Sequence, residues 1–462
     1  MQELDEMMKT ILEKLRSKQY AALRTQLDEL NPADIAEIME ALLDDGEISN
    51  DDLIKLYRLL PKDLAADTFV ELNSDMQETL ITALSDKEIR AVLDDMYLDD
   101  TVDVIEEMPA NVVKRMLKNV DVETRRNINE ILNYPEDSAG SIMTIEYVEL
   151  TPSMTVSDAF DNIRKTGIDK ETVYTCYVTE RKKLVGFVSV RDLLMNPYEA
   201  LIKDIMDDNV ISVQTTDDKE YVANVLSKYD MIAVPVVDKE GRLVGIVTVD
   251  DAIDVLTEEA TEDIEKMAAI TPSEHPYLRS RVTEIWLQRI PWLLLLMVSA
   301  TFTGMIITSF ENALAAQVAL TAFIPMLMDT GGNSGSQASV TIIRGLSLGD
   351  IEFSDIIKVI WKEFRVSILC GISLSVVAFG KIMLVDHLLM HNSEITPVVA
   401  FVICASLALT VVIAKLVGCT LPLFAKKIGF DPAVMASPFI TTIVDAISLF
   451  VYFQIATALL HI

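Results

Sequence analysis

After Glu284 the chain almost stops carrying charge. Residues 285–462 hold 10 acidic and 9 basic side chains against 61 and 30 in residues 1–284, so nearly all of the net charge of −32 sits in the first part. The later part runs in apolar stretches, and a helix needs roughly 20 such residues to cross bilayer hydrocarbon. Lipid offers backbone N–H and C=O groups no partner, so these stretches are expected as spanning helices. Five are expected, at about 286–309, 313–342, 364–389, 395–424 and 432–460.

The short loops differ in charge. Arg279, Arg281 and Arg289 lie by the first span, Arg344, Lys358, Lys362 and Arg365 between the second and third, and Lys426 and Lys427 between the fourth and fifth. The opposite loops, Glu311-Asn312, Asp386–Glu394 and the terminus His461-Ile462, carry neither Lys nor Arg. That asymmetry places the acidic part in the cytosol and the C-terminus outside. Lys381 and Lys415 fall inside spans, and Lys381 is expected to snorkel outward. The opening MQELDEMMKT lacks an apolar h-region, so no cleaved leader is expected.

Polar residues inside the spans carry the functional signal. Asp445 stands 13 residues beyond Pro432, about 20 Å along a helix and near the bilayer midplane. A carboxylate there costs at least ~2.5 kcal/mol. One reading is a protonated, hydrogen-bonded core Asp. The other, favoured because no arginine lies near it in sequence, is a wet pathway in which Asp445 meets a cation. The second span, PMLMDTGGNSGSQASVTIIRG, packs Gly331, Gly332, Asn333, Ser334, Gly335, Ser336 and Gln337 into what should be hydrocarbon. A small-residue packing face explains the glycines. It does not explain Asn333 and Gln337 together with Asp445, and a backbone break there would offer carbonyl, amide and hydroxyl oxygens to Mg2+ or its waters.

The charge balance excludes nucleic acid and anionic lipid surfaces as partners and favours cations. Cys176, Cys370, Cys404 and Cys419 show no CxxC spacing, so neither a zinc site nor a disulfide framework is expected. No HExxH, GxSxG or Walker A motif occurs, and an enzyme is not expected. His387 and His391, spaced i,i+4 in the outer loop, read more readily as loop solvation than as a metal site.

Residues 20–133 repeat a beat of polar or proline cap followed by a short apolar helix, with starts near 31, 61, 73, 85, 98, 109 and 121. An all-α superhelical stack is expected, closed by the linker NYPEDSAGS. Within it LDDMYLDDTVDVIEEM offers Asp94, Asp95, Asp99, Asp100, Asp103, Glu106 and Glu107. A clearer duplication follows: KKLVGFVSVRDLL (182–194) matches GRLVGIVTVDDAI (241–253). Two α/β copies of this kind resemble a tandem pair of CBS domains. In that family the Ser/Thr and Asp of the strand–helix turn hold an adenosine ribose, which here implies Ser189, Asp192, Thr248 and Asp251 for ATP or another adenine nucleotide.

Next comes DDAIDVLTEEATEDIEKMAAITP. Asp251, Asp254, Glu258, Glu262 and Glu265 share one helical face, while Ile253, Leu256, Ala260, Ile264 and Met267 lie nearly opposite and are expected to pack. A solvated acidic face is the ordinary reading. Two acidic surfaces, this one and the helical domain, would need counter-ions between them to close.

The whole order resembles the MgtE magnesium channels and transporters, on GGNSGSQ followed by VTIIRG and on PLFAKKIGFDPAVMASPFITTIVD. The resemblance implies a helical N domain (1–133), two CBS domains (134–200 and 201–256), a plug helix (257–283) and a five-helix transmembrane domain (284–462). It implies a homodimer in the plasma membrane, in contact with lipid, whose ion path between subunits is lined by Asp445, Asn333, Gly331, Gly332, Gln337, Thr441 and Thr442. Asp431 is implied at the cytosolic mouth. Regulatory Mg2+ is implied at Asp251, Asp254, Glu258, Glu259, Glu262, Asp67, Asp95, Asp99, Asp103 and Asp431. Ser437 and Ser448 replace glycines usual in the family, and Lys415 is unusual in the fourth span. The expected function is a Mg2+ channel closed by cytosolic Mg2+. A carrier of Mn2+ or Co2+, a Na+-coupled Mg2+ exchanger, and a nucleotide-sensing regulator anchored by its spans are the alternatives.

Overall fold

Short helices dominate the first part of the chain, and several of them open on a side chain that satisfies the first free N–H groups. The computed structural model describes residues 2–273, 277, 280–392, 394–435 and 437–461, with the backbone alone at 2–5, 63, 169 and 437. Arg279, Ile462 and the side chain of Ser437 therefore lie outside the described residues. The chain divides into two compact units, Met1–Leu256 and Thr257–Ile462.

In the first unit, helices Gln2–Arg16 and Tyr20–Leu27 precede Pro32–Asp44, Asn50–Leu59, Lys62–Glu71, Ser74–Ala83, Asp86–Leu93, Leu98–Glu107, Ala110–Asn119 and Val122–Ile131. Ser49, Asn73, Ser85 and Asp121 accept backbone N–H groups at helix starts, and Pro32 begins another. Isolated helices of this length are marginal in water. They persist because their apolar stripes share one core running from Ile11 to Ile131.

Two three-stranded sheets follow. In the first, β1 (Val148–Leu150) runs parallel to β2 (Thr175–Glu180), which is antiparallel to β3 (Lys183–Ser189). The second repeats this with β4 (Val213–Gln214), β5 (Ala233–Val237) and β6 (Leu243–Thr248). Register shifts at Val178/Thr179 and Val236/Val237 fall at matching places. The duplicated glycines have one cause. A Cβ on Gly245 would stand 2.7 Å from Met143 Sδ, and one on Gly186 would stand 2.9 Å from Met206 Sδ. Each repeat's glycine thus receives the leading segment of the other repeat, tied by bridges Thr144–Ile246 and Phe187–Asp207.

The connecting helix Val249–Met267 packs differently from expectation. Ala252 and Val255 are its buried residues, while Ile253 is 57% and Ile264 64% exposed. The face chosen carries the small side chain, Ala252, in the core of the second sheet, so the Ile253–Ile264 line does not pack as the periodicity suggested.

In the second unit, among the described residues, four helices are long and apolar enough to cross a membrane: Val282–Ser309, Phe353–Leu389, Pro397–Lys427 and Pro432–Leu460. The second expected span does not join them on apolarity. After a short helix at Glu311–Ala316 and a 3-10 turn at Val318–Phe323, residues Ile324–Ser347 form one unbroken helix. This corrects the expected backbone break: the GGNSGSQ carbonyls belong to a helix, and the glycines serve close packing instead. A Cβ on Gly331 would stand 2.8 Å from Thr410 Cγ2, and one on Gly332 would stand 2.9 Å from Thr441 Cγ2. A Cβ on Gly418 would strike the Gly335 carbonyl oxygen. Small residues let these backbones approach.

The last helix begins at Ser437, after a 3-10 turn at Pro432–Met435. Asp445 is therefore about 12 Å along it, closer to the helix start than the sequence count suggested. Lys381 Nζ lies 2.8 Å from Asp386 Oδ2. Lys415 is buried, with Nζ 3.9 Å from Glu363 Oε2.

Candidate metal and ion-path sites

The acidic helix Leu98–Glu107 meets two carboxylates from the first CBS repeat. Carboxylate oxygens of Asp99, Glu146 and Glu171 lie within 4.8 Å of one another. The Leu98 N–H donates to Glu146 Oε2 at 3.2 Å, and the Glu171 N–H donates to the Glu146 carbonyl at 2.9 Å. Backbone thus fixes the three relative to each other. Asp251 joins this neighbourhood from the start of the connecting helix, where Thr248 Oγ1 donates to its carboxylate at 2.6 Å.

Burial and mutual repulsion hold these groups far from ordinary carboxylate behaviour. Burial first, then the charges of Asp251 and Asp100, push Asp99 well up. Burial and neighbouring carboxylates push Asp100 and Asp103 each up to about 7, and Glu171 up to about 8. Asp251 rises to about 6, chiefly by burial and against its Thr248 hydrogen bond. Closely spaced, partly desolvated, oxygen-only donors are the set a hard divalent cation takes, so the residues fit Mg2+.

The implied regulatory residues separate in space. Asp103 and Asp99 both feel Asp251, and Asp67 acts on Asp100. Asp254 is raised by burial and then by Asp250. Asp95 instead pairs with Lys62 at 2.7 Å. Glu258 is exposed and Glu259 half-buried on the connecting helix.

Glu262 and Asp431 are joined by a protein cation. Lys266 Nζ lies 2.5 Å from Glu262 Oε1 and 2.7 Å from Asp431 Oδ2. Burial lowers the Lys266 pKa, but the hydrogen bonds to Asp431 and Glu262 outweigh it and leave it raised. Ser347 Oγ donates to Asp263 Oδ2 at 2.9 Å, and Met267 clusters with Ile343 and Ala433. The last turns of the connecting helix are thereby fastened to the membrane unit.

Within that unit, the glycine helix Ile324–Ser347 and the last helix, Ser437–Leu460, meet along Gly331, Gly332 and Gly335. Asn333 and Gln337 are exposed on the glycine helix. Thr441 and Thr442 donate to the Pro438 carbonyl at 2.9 and 3.0 Å. Asp445 is half-buried one turn further on. Ser448, almost fully buried, has its Oγ 3.0 Å from where a Gly331 Cβ would be.

This arrangement can be set beside known proteins. A family model described as a divalent cation transporter matches residues 324–455, one for the MgtE intracellular N domain matches 30–137, and the CBS model matches 139–198 and 202–258. The magnesium transporter MgtE of Thermus thermophilus is 35% identical over 457 residues, 98% of each chain. The chain belongs to the MgtE family of magnesium transporters. The Bacillus subtilis MgtE magnesium transporter is likewise 35% identical, over 99% of this chain and 98% of that one. Among solved structures, the cytosolic domain of the Mg2+ channel MgtE in complex with ATP aligns at 35% identity with a TM-score of 0.50, covering 54% of this chain and 99% of that one. The soluble part of a magnesium transporter aligns at 32% identity with a TM-score of 0.51, covering 56% and 99%.

Against this MgtE background, the residues implied for adenosine hold each other. Ser189 Oγ donates to Asp192 Oδ2 at 2.5 Å and accepts the Asp192 N–H at 3.1 Å, a capping box that presents the turn. Sequence reasoning missed Glu146, Glu171 and Lys266. Glu146 and Glu171 sit singly in loops with no periodic signal, and Lys266 reads as one base among many acids.

Proposed function

We propose that this chain is a Mg2+ channel of the plasma membrane, working as a homodimer, with its acidic part in the cytosol and closed by cytosolic Mg2+. The observation that carries the reading is Asp445, a carboxylate in an apolar helix, one turn from Thr441 where Gly332 admits close approach. Mg2+ gives up its waters reluctantly and binds through one or two carboxylates. A largely hydrated ion between Asp445 groups of two subunits would offset their repulsion.

Asp99, Glu146, Glu171 and Asp251 would hold the regulatory ion, whose role is to neutralise a cluster that otherwise repels itself. A cation that binds the compact arrangement more tightly shifts the population toward it. Asp251 lies in the first turn of the connecting helix and Lys266 in its last turn. Adenine nucleotide binding at Ser189, Asp192, Thr248 and Asp251 is supported by the likeness to the ATP-bound cytosolic domain.

Asp445→Ala is expected to abolish Mg2+ uptake in a transport-deficient cell. Wild-type uptake by that variant would remove the ion-path reading. Flux against Mn2+ and Co2+, with and without a sodium gradient, separates a Mg2+ channel from a broader carrier or an exchanger.

A further inference from the structure

The glycine helix carries one more charged group, Asp329, four residues before Asn333. Asp329, Asn333 and Gln337 follow at steps of four, so they lie along one line of the helix. All three are exposed, while Gly331, Gly332, Ser334, Gly335, Ala338 and Ser339 behind them are buried. A polar line on the open side of a helix otherwise packed among apolar spans is not what lipid selects.

The packing register says what this line faces. Gly331 approaches Val444 and Ser448, Gly332 approaches Thr441, and Gly335 approaches Ile440 and Val444. Moving forward on one helix is moving backward on the other, so the pair is antiparallel. One turn back from Gly332 is Asp329, and one turn forward from Thr441 is Asp445. The two carboxylates therefore stand at the same level. The ammonium groups within the expected spans are engaged elsewhere, Lys381 by Asp386 and Lys415 by Glu363.

We propose that Asp329 is a second carboxylate of the ion path, acting with Asp445 on the same hydrated divalent cation and setting the preference for divalent over monovalent ions. The proposal deepens the transport reading above and rests on it. In the dimer the two Asp445 carboxylates match the charge of a divalent ion, and Asp329 at their level adds to its attraction. A monovalent cation leaves the same pair with a net negative charge and gains about half as much from each group. Both acids can act through the ion's water shell, as Mg2+ usually requires.

The test is flux through the full-length protein in liposomes, with external Mg2+ and Na+ varied, for the wild type and for D445N, D329N, D329S and D329E. Neutral D329N and D329S are expected to raise half-saturating Mg2+ about tenfold and to admit Na+, while D329E stays within about twofold of the wild type. D445N is expected to lose saturable Mg2+ flux. Wild-type half-saturation and Na+ exclusion in a monodisperse D329N or D329S protein, with D445N inactive, would overturn the role of Asp329 and leave the path at Asp445 standing. Wild-type flux in D445N would overturn the path itself. The serine variant keeps the test open if the asparagine protein does not fold. Loss of Mg2+ affinity in all three Asp329 variants with Na+ still excluded marks a structural acid and also overturns the proposal.

Discussion

Lys266 and Asp431 form an ion pair of 2.7 Å that binds the end of the connecting helix to the loop before the last membrane helix. Glu262 shares the same ammonium at 2.5 Å. An ion implied at Glu262 and Asp431 would thus have to compete with, or add to, a cation the chain already supplies.

Lys266→Met should weaken this fastening. A partly buried pair of this kind is worth about 1 kcal/mol, so the Mg2+ concentration that closes the channel should rise about fivefold. Flux recorded while cytosolic-side Mg2+ is stepped checks this; an unchanged closing concentration removes Lys266 from gating.

The acidic cluster should make the first unit sensitive to pH when divalent ions are absent. Asp251, Asp100, Asp103 and Glu171 titrate at about 6, 7, 7 and 8, above the unfolded range near 4. The folded form therefore binds more protons. Its stabilisation is full below about pH 4 and is lost as pH rises through about 6 to 8. Amide protection factors in Leu98–Glu107, corrected for the intrinsic rise of exchange with pH, should be higher at pH 5 than at pH 8.5, with millimolar Mg2+ restoring protection at the higher pH. Glu171→Gln should flatten that dependence.

Close packing of the glycine helix predicts a sharp contrast between two alanines. Gly418→Ala drives a methyl into the Gly335 carbonyl, whereas Gly380→Ala meets open space. Overpacking costs about 1–3 kcal/mol, so the first variant should melt several degrees lower in detergent and the second should match the wild type.

Lys415 and Glu363 are an ion pair with side chains only 7% and 14% exposed. Removing one partner leaves a buried charge and should cost about 3–5 kcal/mol. Lys415→Met should therefore express poorly, while the double variant K415M/E363Q recovers. Recovery measured by size-exclusion yield checks this, and an equally poor double variant would show that Lys415 serves another partner.

Much of this was legible in residue order. The caps at Asn73, Ser85 and Asp121 announce helix starts through local chemistry alone, and the repeated LVGFVS and LVGIVT strands announce duplicated sheets. The charge drop after Glu284 announces a membrane part. Each signal lies within one or two turns of chain, where spacing and side-chain type fix the outcome.

The connecting helix shows where that legibility stops. Its periodicity offers two plausible packed faces, and only the sheet it meets selects Ala252 and Val255 over Ile253 and Ile264. The glycine run likewise allows a break or a close-packed helix, and contact with Thr441 and Val444 selects the helix.

Sequence by itself determined the partition into charged and apolar parts, the helix and strand elements and the family, because these depend on local pattern. Tertiary structure alone decided that Glu146 and Glu171 meet Asp99, that Lys266 reaches Asp431 across 165 positions, and that Asp329 stands level with Asp445. Electrostatic interaction depends on distance in space, and distance along the chain carries no information about it once the helices have packed.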